Sequence, residues 1–472
     1  MDEFIPVVVS RFSDFLSQNQ SNIKKLSKSS IISFFTPLNL EFNKINLDEV
    51  RKNFERSFYF EKPFEEIRFL GIDQITAIEE NGSGRFASTD KKINVIKENF
   101  FCNWPEESRS YIPLFLGAMK FTVEHSDNEW KDFNDSTWFI PEFLFFEKDK
   151  KTFLLFNFFF GSAILDNSIL ERFGNKLEHI ISRCVIKAAE QLLPSLRQIL
   201  GNEPKFKKKW KNTITEALNE IEAKGIRKVV LSRKIEVLLS GEPNLVSAAN
   251  KFRKNYFDCF IFIYNHKDSS FLGATPERLA KFYNAKVELD AMAGSAPRGD
   301  TESEDLKIEN DSLRNEKNIK EHQFVIDFLL DSIKSHAEEI EEINSLSVKK
   351  LNNIQHLHTK ILASLKNRNS IFRFLADVYP TPAVCGVPKE NALSLIKKLE
   401  QQNRGLYSGI LGWFNFFDHG EFVISIRSAV TIKNKVVAFA GGGIVDSSDP
   451  EEEFKETELK FKPILSLFSN EN

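Results

Sequence analysis

Cysteine is scarce, and its placement excludes more than its number does. Cys102, Cys184, Cys259 and Cys385 form no CxxC pair, which argues against a zinc ribbon and fits a reducing cytosol. Long apolar runs are missing too. No window approaches the roughly 18 consecutive apolar residues of a membrane-spanning helix, and the most apolar stretch, Phe153 to Phe160, has the length of a strand. The start Met1-Asp2-Glu3-Phe4 has neither a basic n-region nor an apolar h-region, so no secretory signal is read and a cytoplasmic protein is expected. Excess charge is lacking as well: 64 basic residues stand against 67 acidic ones, a net charge of −3. Nothing in that balance draws nucleic acid or an anionic membrane. Neither G-x-G-x-x-G nor a Walker A motif occurs, which leaves dinucleotide and nucleoside-triphosphate chemistry unsupported. There is no internal repeat at fixed period.

What is present is a chain of 472 residues with 42% hydrophobic content, enough for a sizeable core. The 46 phenylalanines, beside abundant Lys, Asn and Ile, read as a coding bias. Residues 1–35 pattern as an amphipathic helix followed by a Ser/Lys linker. From about 58 to 160 the pattern is mostly β, with a buried strand over 112–121 and a hairpin joining 140–146 to 153–159. Helical periodicity covers 168–200 and 206–224. Strands follow over 227–239, 257–264, 271–283 (around a Gly-Ala-Thr-Pro turn) and 286–293, then a long helix over 302–341. Two helices flank Pro380-Thr381-Pro382, and three strands (406–417, 421–432 and 435–440) precede a terminal helix. Strands and helices cluster without βαβ alternation, which predicts an α+β fold with a large antiparallel sheet system. The expected division is 1–55 as a helical segment with linker and 56–472 as one catalytic domain.

Several residues carry candidate chemistry. Gly441-Gly442-Gly443 predicts a backbone that comes close to something and adopts positive φ. Asp449 or Ser448 is a suitable N-cap and Pro450 a suitable first helical residue. The helix that follows puts Glu453, Glu456 and Lys460 on one face, arranged either for an anion and a hard cation or as a solvated acidic helix start. Lys228 borders an apolar strand. It is either an edge cation that deters aggregation or, if desolvated, a general base. Glu277, in the turn Gly273-Ala274-Thr275-Pro276-Glu277, is a surface glutamate or a general acid of raised pKa. Glu321 adjoins the core face of its helix and can meet a metal or a lysine. Arg427 has small same-face neighbours, Ser425 and Ala429, which leave room for a bidentate carboxylate. His356 and His358 have no further ligand at zinc spacing. The lysines of 207–209 and 317–320 read as solvated faces.

Singly these signals are weak, but their order is informative. Lys228-Val229-Val230-Leu231-Ser232-Arg233, Gly273-Ala274-Thr275-Pro276-Glu277, Met292-Ala293-Gly294-Ser295-Ala296-Pro297-Arg298-Gly299 and Lys320-Glu321-His322 lie in the middle of the chain. Tyr379-Pro380-Thr381-Pro382-Ala383, Ile426-Arg427-Ser428-Ala429 and Glu453-Phe454-Lys455-Glu456-Thr457 follow. Together they resemble the chorismate-utilising enzymes, clearly over 206–468, faintly over 100–160 and not before 55. The resemblance implies the fold of the anthranilate synthase large subunit, with antiparallel sheets sandwiched between helices. It implies Lys228 as the base that activates water and Glu277 as the acid that protonates the departing hydroxyl. Glu321 and Glu456 are implied as Mg²⁺ ligands, with Glu453 in support. Tyr407, Arg427 and Gly443 match groups around the pyruvyl carboxylate. Gly294 and Lys460 match groups around the ring carboxylate and metal. His356, Thr381 and Ala383 match positions beside the ring.

Within the family, aminodeoxychorismate synthases usually show a lysine where Ala293 stands, and anthranilate synthases tend to lack a base at Lys228. Salicylate synthases tend to carry threonine at Ala383. The resemblance is therefore to the isochorismate synthase type, a magnesium-dependent isomerase acting on chorismate for menaquinone or siderophore biosynthesis. The runner-up is a salicylate synthase. A monomer without an amidotransferase subunit is expected.

Overall fold

Period-two alternation in the phenylalanine-rich strands sends side chains to two different cores, and this explains why those strands read as nearly unbroken apolar runs. In the strand Phe143–Lys148, Phe143 and Phe145 face one cluster while Leu144 and Phe146 face another. Its partner Lys151–Phe159 divides the same way, with Leu154, Phe156 and Phe158 on one side and Leu155 on the other. A sheet buried on both faces has to lie between two further layers, and here it does. The computed structural model describes residues 4–123, 128–160, 168–185, 194–201, 204–351, 354–366 and 370–468.

Among those residues there are two sheets, of 13 and 10 strands. In the larger one Lys228–Leu239, Lys435–Ile444, Ser428–Ile432, Ser269–Thr275 and Phe260–His266 are successive neighbours. In the smaller one Ile354–Leu365, Lys286–Pro297, Arg278–Tyr283, Gly420–Ile424 and Ile410–Phe414 are. The pairings are antiparallel except for Ile31–Pro37 with Phe100–Cys102. Helices Phe4–Gln18, Ser168–Cys184, Leu245–Asn255 and Pro450–Leu465 cover the outer face of the large sheet. Arg85–Lys97, Glu316–Ile333 and Ile371–Val378 pack against the smaller one. This is the expected α+β sandwich between helices. No helix among the described residues is long and apolar enough to cross a membrane.

Several local expectations need correction. The linker over the first residues contains a strand, Ile31–Pro37, paired with Lys151–Phe159, and Phe12 of the first helix is wholly buried against Phe34, Phe156 and Phe173. The helix expected over 168–200 stops at Cys184, and Leu196–Leu200 is an edge strand; residues 186–193 lie outside the described residues. The helix expected over 302–341 ends at Ile308, turns through a π-helical segment over Glu309–Leu313, and resumes as Glu316–Ile333 with Asn315 as N-cap. Its final residues form the strand Ala337–Ile343.

The stretch over 271–283 breaks at its Gly-Ala-Thr-Pro turn, as expected, whereas the long strand expected over 421–432 is unexpectedly broken in the middle. Ser269–Thr275 belongs to the large sheet and Arg278–Tyr283 to the small one; Gly420–Ile424 belongs to the small sheet and Ser428–Ile432 to the large one. These two places where the chain crosses between sheets lie side by side, and they carry Glu277 and Arg427.

Candidate active site

Backbone and side-chain hydrogen bonds stitch the two crossings together. Thr275 donates its hydroxyl to the Ile424 carbonyl at 2.6 Å, and the Ile424 N–H donates to the Glu277 carbonyl at 3.0 Å. The Ala274 N–H reaches the Arg427 carbonyl at 3.3 Å. Arg427 lies outside both flanking strands with φ at +52°, a left-handed backbone that a long side chain adopts only when its surroundings enforce it. Gly273 is part of that enforcement, since a Cβ there would sit 2.8 Å from the Arg427 carbonyl oxygen.

These crossings open onto a cleft lined by Lys228, Glu277, Gly294, Glu321, His356, Ala383, Tyr407, Arg427, Gly443, Glu456 and Lys460. Lys228 is 1% exposed, which removes the edge-cation reading. Its Nζ meets Glu321 Oε1 at 2.7 Å. Glu277 is 6% exposed, which likewise removes the surface-glutamate reading. Burial, aided by the Asp290 charge, pushes its carboxyl up to about 7 against the opposing pull of Lys228, Arg427 and Lys460.

The strand Lys435–Ile444 corrects the expected glycine turn. Gly441, Gly442 and Gly443 are extended and paired with Lys228–Leu239. Their lack of a side chain is what the site uses, since a Cβ on Gly443 would stand 2.8 Å from Glu321 Oε1 and 2.9 Å from Lys228 Cε. A Cβ on Gly441 would approach the Tyr407 hydroxyl to 3.1 Å. Gly294 does need its freedom: its φ is +72°, and it sits in a bulge of the strand Lys286–Pro297.

The opposite wall offers cations and neutral donors to an anion. Arg427 is buried, and its guanidinium reaches His356 Nε2 at 3.5 Å. Burial and the nearby Arg427 charge hold His356 well below its ordinary value, so the ring is neutral. His356 Nδ1 lies 3.1 Å from the Gly294 carbonyl, which assigns the proton to Nδ1 and leaves Nε2 as an acceptor. His358, two residues on, faces Asp290 at 3.2 Å. Lys460 donates to the Gly441 carbonyl at 2.9 Å and meets Glu456 at 2.5 Å.

The helix Pro450–Leu465 starts as its sequence suggests. Asp449 is the N-cap, accepting from the Glu451 and Glu452 N–H groups, and Pro450 follows it. Its acidic face behaves unevenly. Burial opposes charge on Glu456, yet Lys460, Lys317 and Arg427 together lower its pKa. Glu453 is driven the other way, up to about 7, by burial and by Glu456. Glu453 Oε2 is buried with no hydrogen-bond partner, an arrangement a hard cation would relieve. No group of three or more His, Cys, Asp or Glu residues already poised around one point occurs among the described residues. An all-oxygen set of Glu321 and Glu456, with Glu453 behind them, is nonetheless chemically suited to Mg²⁺.

Two expected residues stand back from the cleft. Glu453 is one, held by Ser448 at 2.7 Å and Lys317 at 3.2 Å. Thr381 is the other: its carbonyl accepts from the Val384 and Cys385 N–H groups, so it shapes the turn that presents Ala383. The sequence pattern puts Lys317 on a solvated face, but it is half-buried and lines the cleft. Its position four residues before Glu321, on the same helical face, was the available signal. On the helix Pro450–Leu465, Glu451 and Glu458 pair with Lys207 and Arg233.

A family model described as "Chorismate binding enzyme" matches residues 16–469. The chain is 28% identical over 425 residues to the isochorismate synthase MenF of Bacillus subtilis (strain 168), covering 88% of each sequence. In three dimensions it is similar to MenF, the menaquinone-specific isochorismate synthase from Escherichia coli, with a TM-score of 0.76 and 20% identity over 97% of this chain and 100% of that one. It is also similar to anthranilate synthase component I from Streptococcus pneumoniae, with a TM-score of 0.69 and 19% identity over 86% and 92%.

Proposed function

The chain belongs to the chorismate binding enzyme family, and from that premise we propose that it is an isochorismate synthase. The observation that carries this reading is the pairing of a buried lysine with a buried carboxyl whose pKa is about 7 in one cation-lined cleft. Chorismate presents two carboxylates, so its site needs cations and polar donors more than apolar walls. Arg427 and Tyr407 are assigned to the pyruvyl carboxylate, and Lys460 with the Gly294 backbone to the ring carboxylate. Neutral His356, Ala383 and the turn built on Thr381 border the ring.

Water adds at C2 as its proton passes to Lys228 Nζ. Both ring double bonds shift, the C4–O bond breaks, and Glu277 gives its proton to the leaving oxygen, which departs as water. One water enters and one leaves, so the net change is an isomerisation. Each positioned acid or base typically contributes about 10²–10⁴-fold. Glu321 and Glu456, supported by Glu453, would hold Mg²⁺, which when bound neutralises a substrate carboxylate and draws charge from the conjugated ring.

Ala383 on the cleft wall favours isochorismate over salicylate as the end product. The test is purified protein with chorismate and Mg²⁺ and no glutamine or partner. Isochorismate is the expected product. Salicylate with pyruvate would move the assignment to a salicylate synthase, and turnover only with ammonia would overturn both. Lys228→Ala should keep its circular dichroism spectrum and lose at least about 10²-fold in kcat; retained turnover would remove Lys228 from the base role.

A further inference from the structure

Three walls of the cleft come from segments far apart in the chain: the strand Lys228–Leu239, the turn that presents Ala383 and Val384, and the loop carrying Tyr407. One buried ion pair touches all three. Arg404 is 2% exposed and seats its guanidinium on Glu400, with Nε 2.9 Å from one carboxylate oxygen and Nη2 2.5 Å from the other. Its remaining donors go to main-chain oxygens of cleft residues. Nη1 reaches the Val384 carbonyl at 2.8 Å and Nη2 the Val230 carbonyl at 2.7 Å. The Arg404 carbonyl in turn accepts from the Tyr407 N–H at 2.9 Å. Glu400 grips the base strand a second time, accepting from the Ser232 N–H at 2.6 Å and from the Ser232 hydroxyl at 2.9 Å. The guanidinium plane is backed by the Phe121 ring at 4.3 Å.

Burial of such a pair is weak evidence for a role in stability, because apolar packing of the same volume often serves as well. Apolar packing has no direction, however, whereas a guanidinium fork has fixed donor angles. Two of its bonds end on carbonyls of lining residues, and one of those residues, Val230, is two positions from Lys228.

We propose that Arg404, held by Glu400, is a positioning residue for the reaction. It fixes the base strand, the Ala383–Val384 wall and the Tyr407 loop relative to one another without touching substrate. Its consequence for turnover rests on the isochorismate synthase reading; its structural part does not.

The experiment compares the full-length wild type with Arg404→Lys and Glu400→Gln, by amide hydrogen exchange and by kinetics with chorismate and Mg²⁺. Exchange should quicken by about tenfold or more in peptides covering 228–232, 381–385 and 405–409, and stay unchanged elsewhere. kcat per folded protein should fall by about 10²-fold, the cost of a small misplacement of reacting groups, while KM moves far less. Uniform acceleration along the chain, or none in those three segments, would overturn the proposal, as would an unchanged kcat. Should Arg404→Lys fail to fold, Glu400→Gln keeps the size of the side chain and carries the same comparison. A wild type that converts no chorismate would defeat the functional reading, and the exchange pattern would still decide the clamp.

Discussion

As the proposed acid, Glu277 would act by giving up a proton, so its useful form is the neutral one. Its carboxyl is held at about 7 by burial, against an ordinary 4.5. Turnover should therefore decline as pH rises through about 7, and Glu277→Gln should remove that limb together with most of kcat; a pH–rate profile checks both. Folding follows the same direction. The native carboxyl keeps its proton to a higher pH than the unfolded one, so its contribution makes the protein less stable as pH rises between those two values. At this scale much of the lining of the candidate site was legible in the sequence, because the residue types that meet in the cleft stand in a recognisable order along the chain. Lys317 escaped because a lysine on an amphipathic helix looks the same whether its end meets water or Glu453. Of the two reasons expected for glycine at Gly443, close approach holds and positive φ does not. Its backbone is extended, and what matters is the space claimed by Glu321 and Lys228.

Elements add constraints that no single residue shows. Because Gly443 lies in a regular strand, Gly443→Ala has no backbone objection to folding, but the added methyl would enter the contact between Lys228 and Glu321. The expected result is near-wild-type thermal unfolding with a loss of turnover of about 10²-fold, the scale of a misplaced reacting group. The helix Pro450–Leu465 offers a parallel test. Glu456→Gln should leave the fold intact while shifting the Mg²⁺ dependence of turnover to much higher concentrations, and an unchanged titration would remove Glu456 from the ligand set. The broken strands were the least legible feature. The Gly-Ala-Thr-Pro turn marks the first break but not the passage to another sheet, and across Ser425-Ile426-Arg427 nothing in hydropathy marks a break at all. The left-handed residue at the second crossing is an arginine, so no glycine signalled it either.

For the whole molecule, the sandwich of two antiparallel sheets between helices was legible, whereas the place of the first residues was not. Their short polar connection from 24 to 30 hides a strand that pairs along its length with Lys151–Phe159. We propose that the first 55 residues fold as part of the same unit as the rest. Removal of residues 1–37 should expose Phe156, Phe158 and Phe173, each worth about 1.5–3 kcal/mol when buried. The truncated chain is expected to be insoluble or to lack a cooperative melting transition, as read by calorimetry; a soluble, active fragment would contradict this.

The paired crossings carry one more consequence. The proposed acid and the proposed carboxylate-binding guanidinium stand on two neighbouring links between one sheet and the other, so both side chains move with any sliding of the layers. Packing faults far from the cleft, in the interior between the sheets, would therefore register first as lost alignment of the acid with its substrate, while the fold as a whole still held.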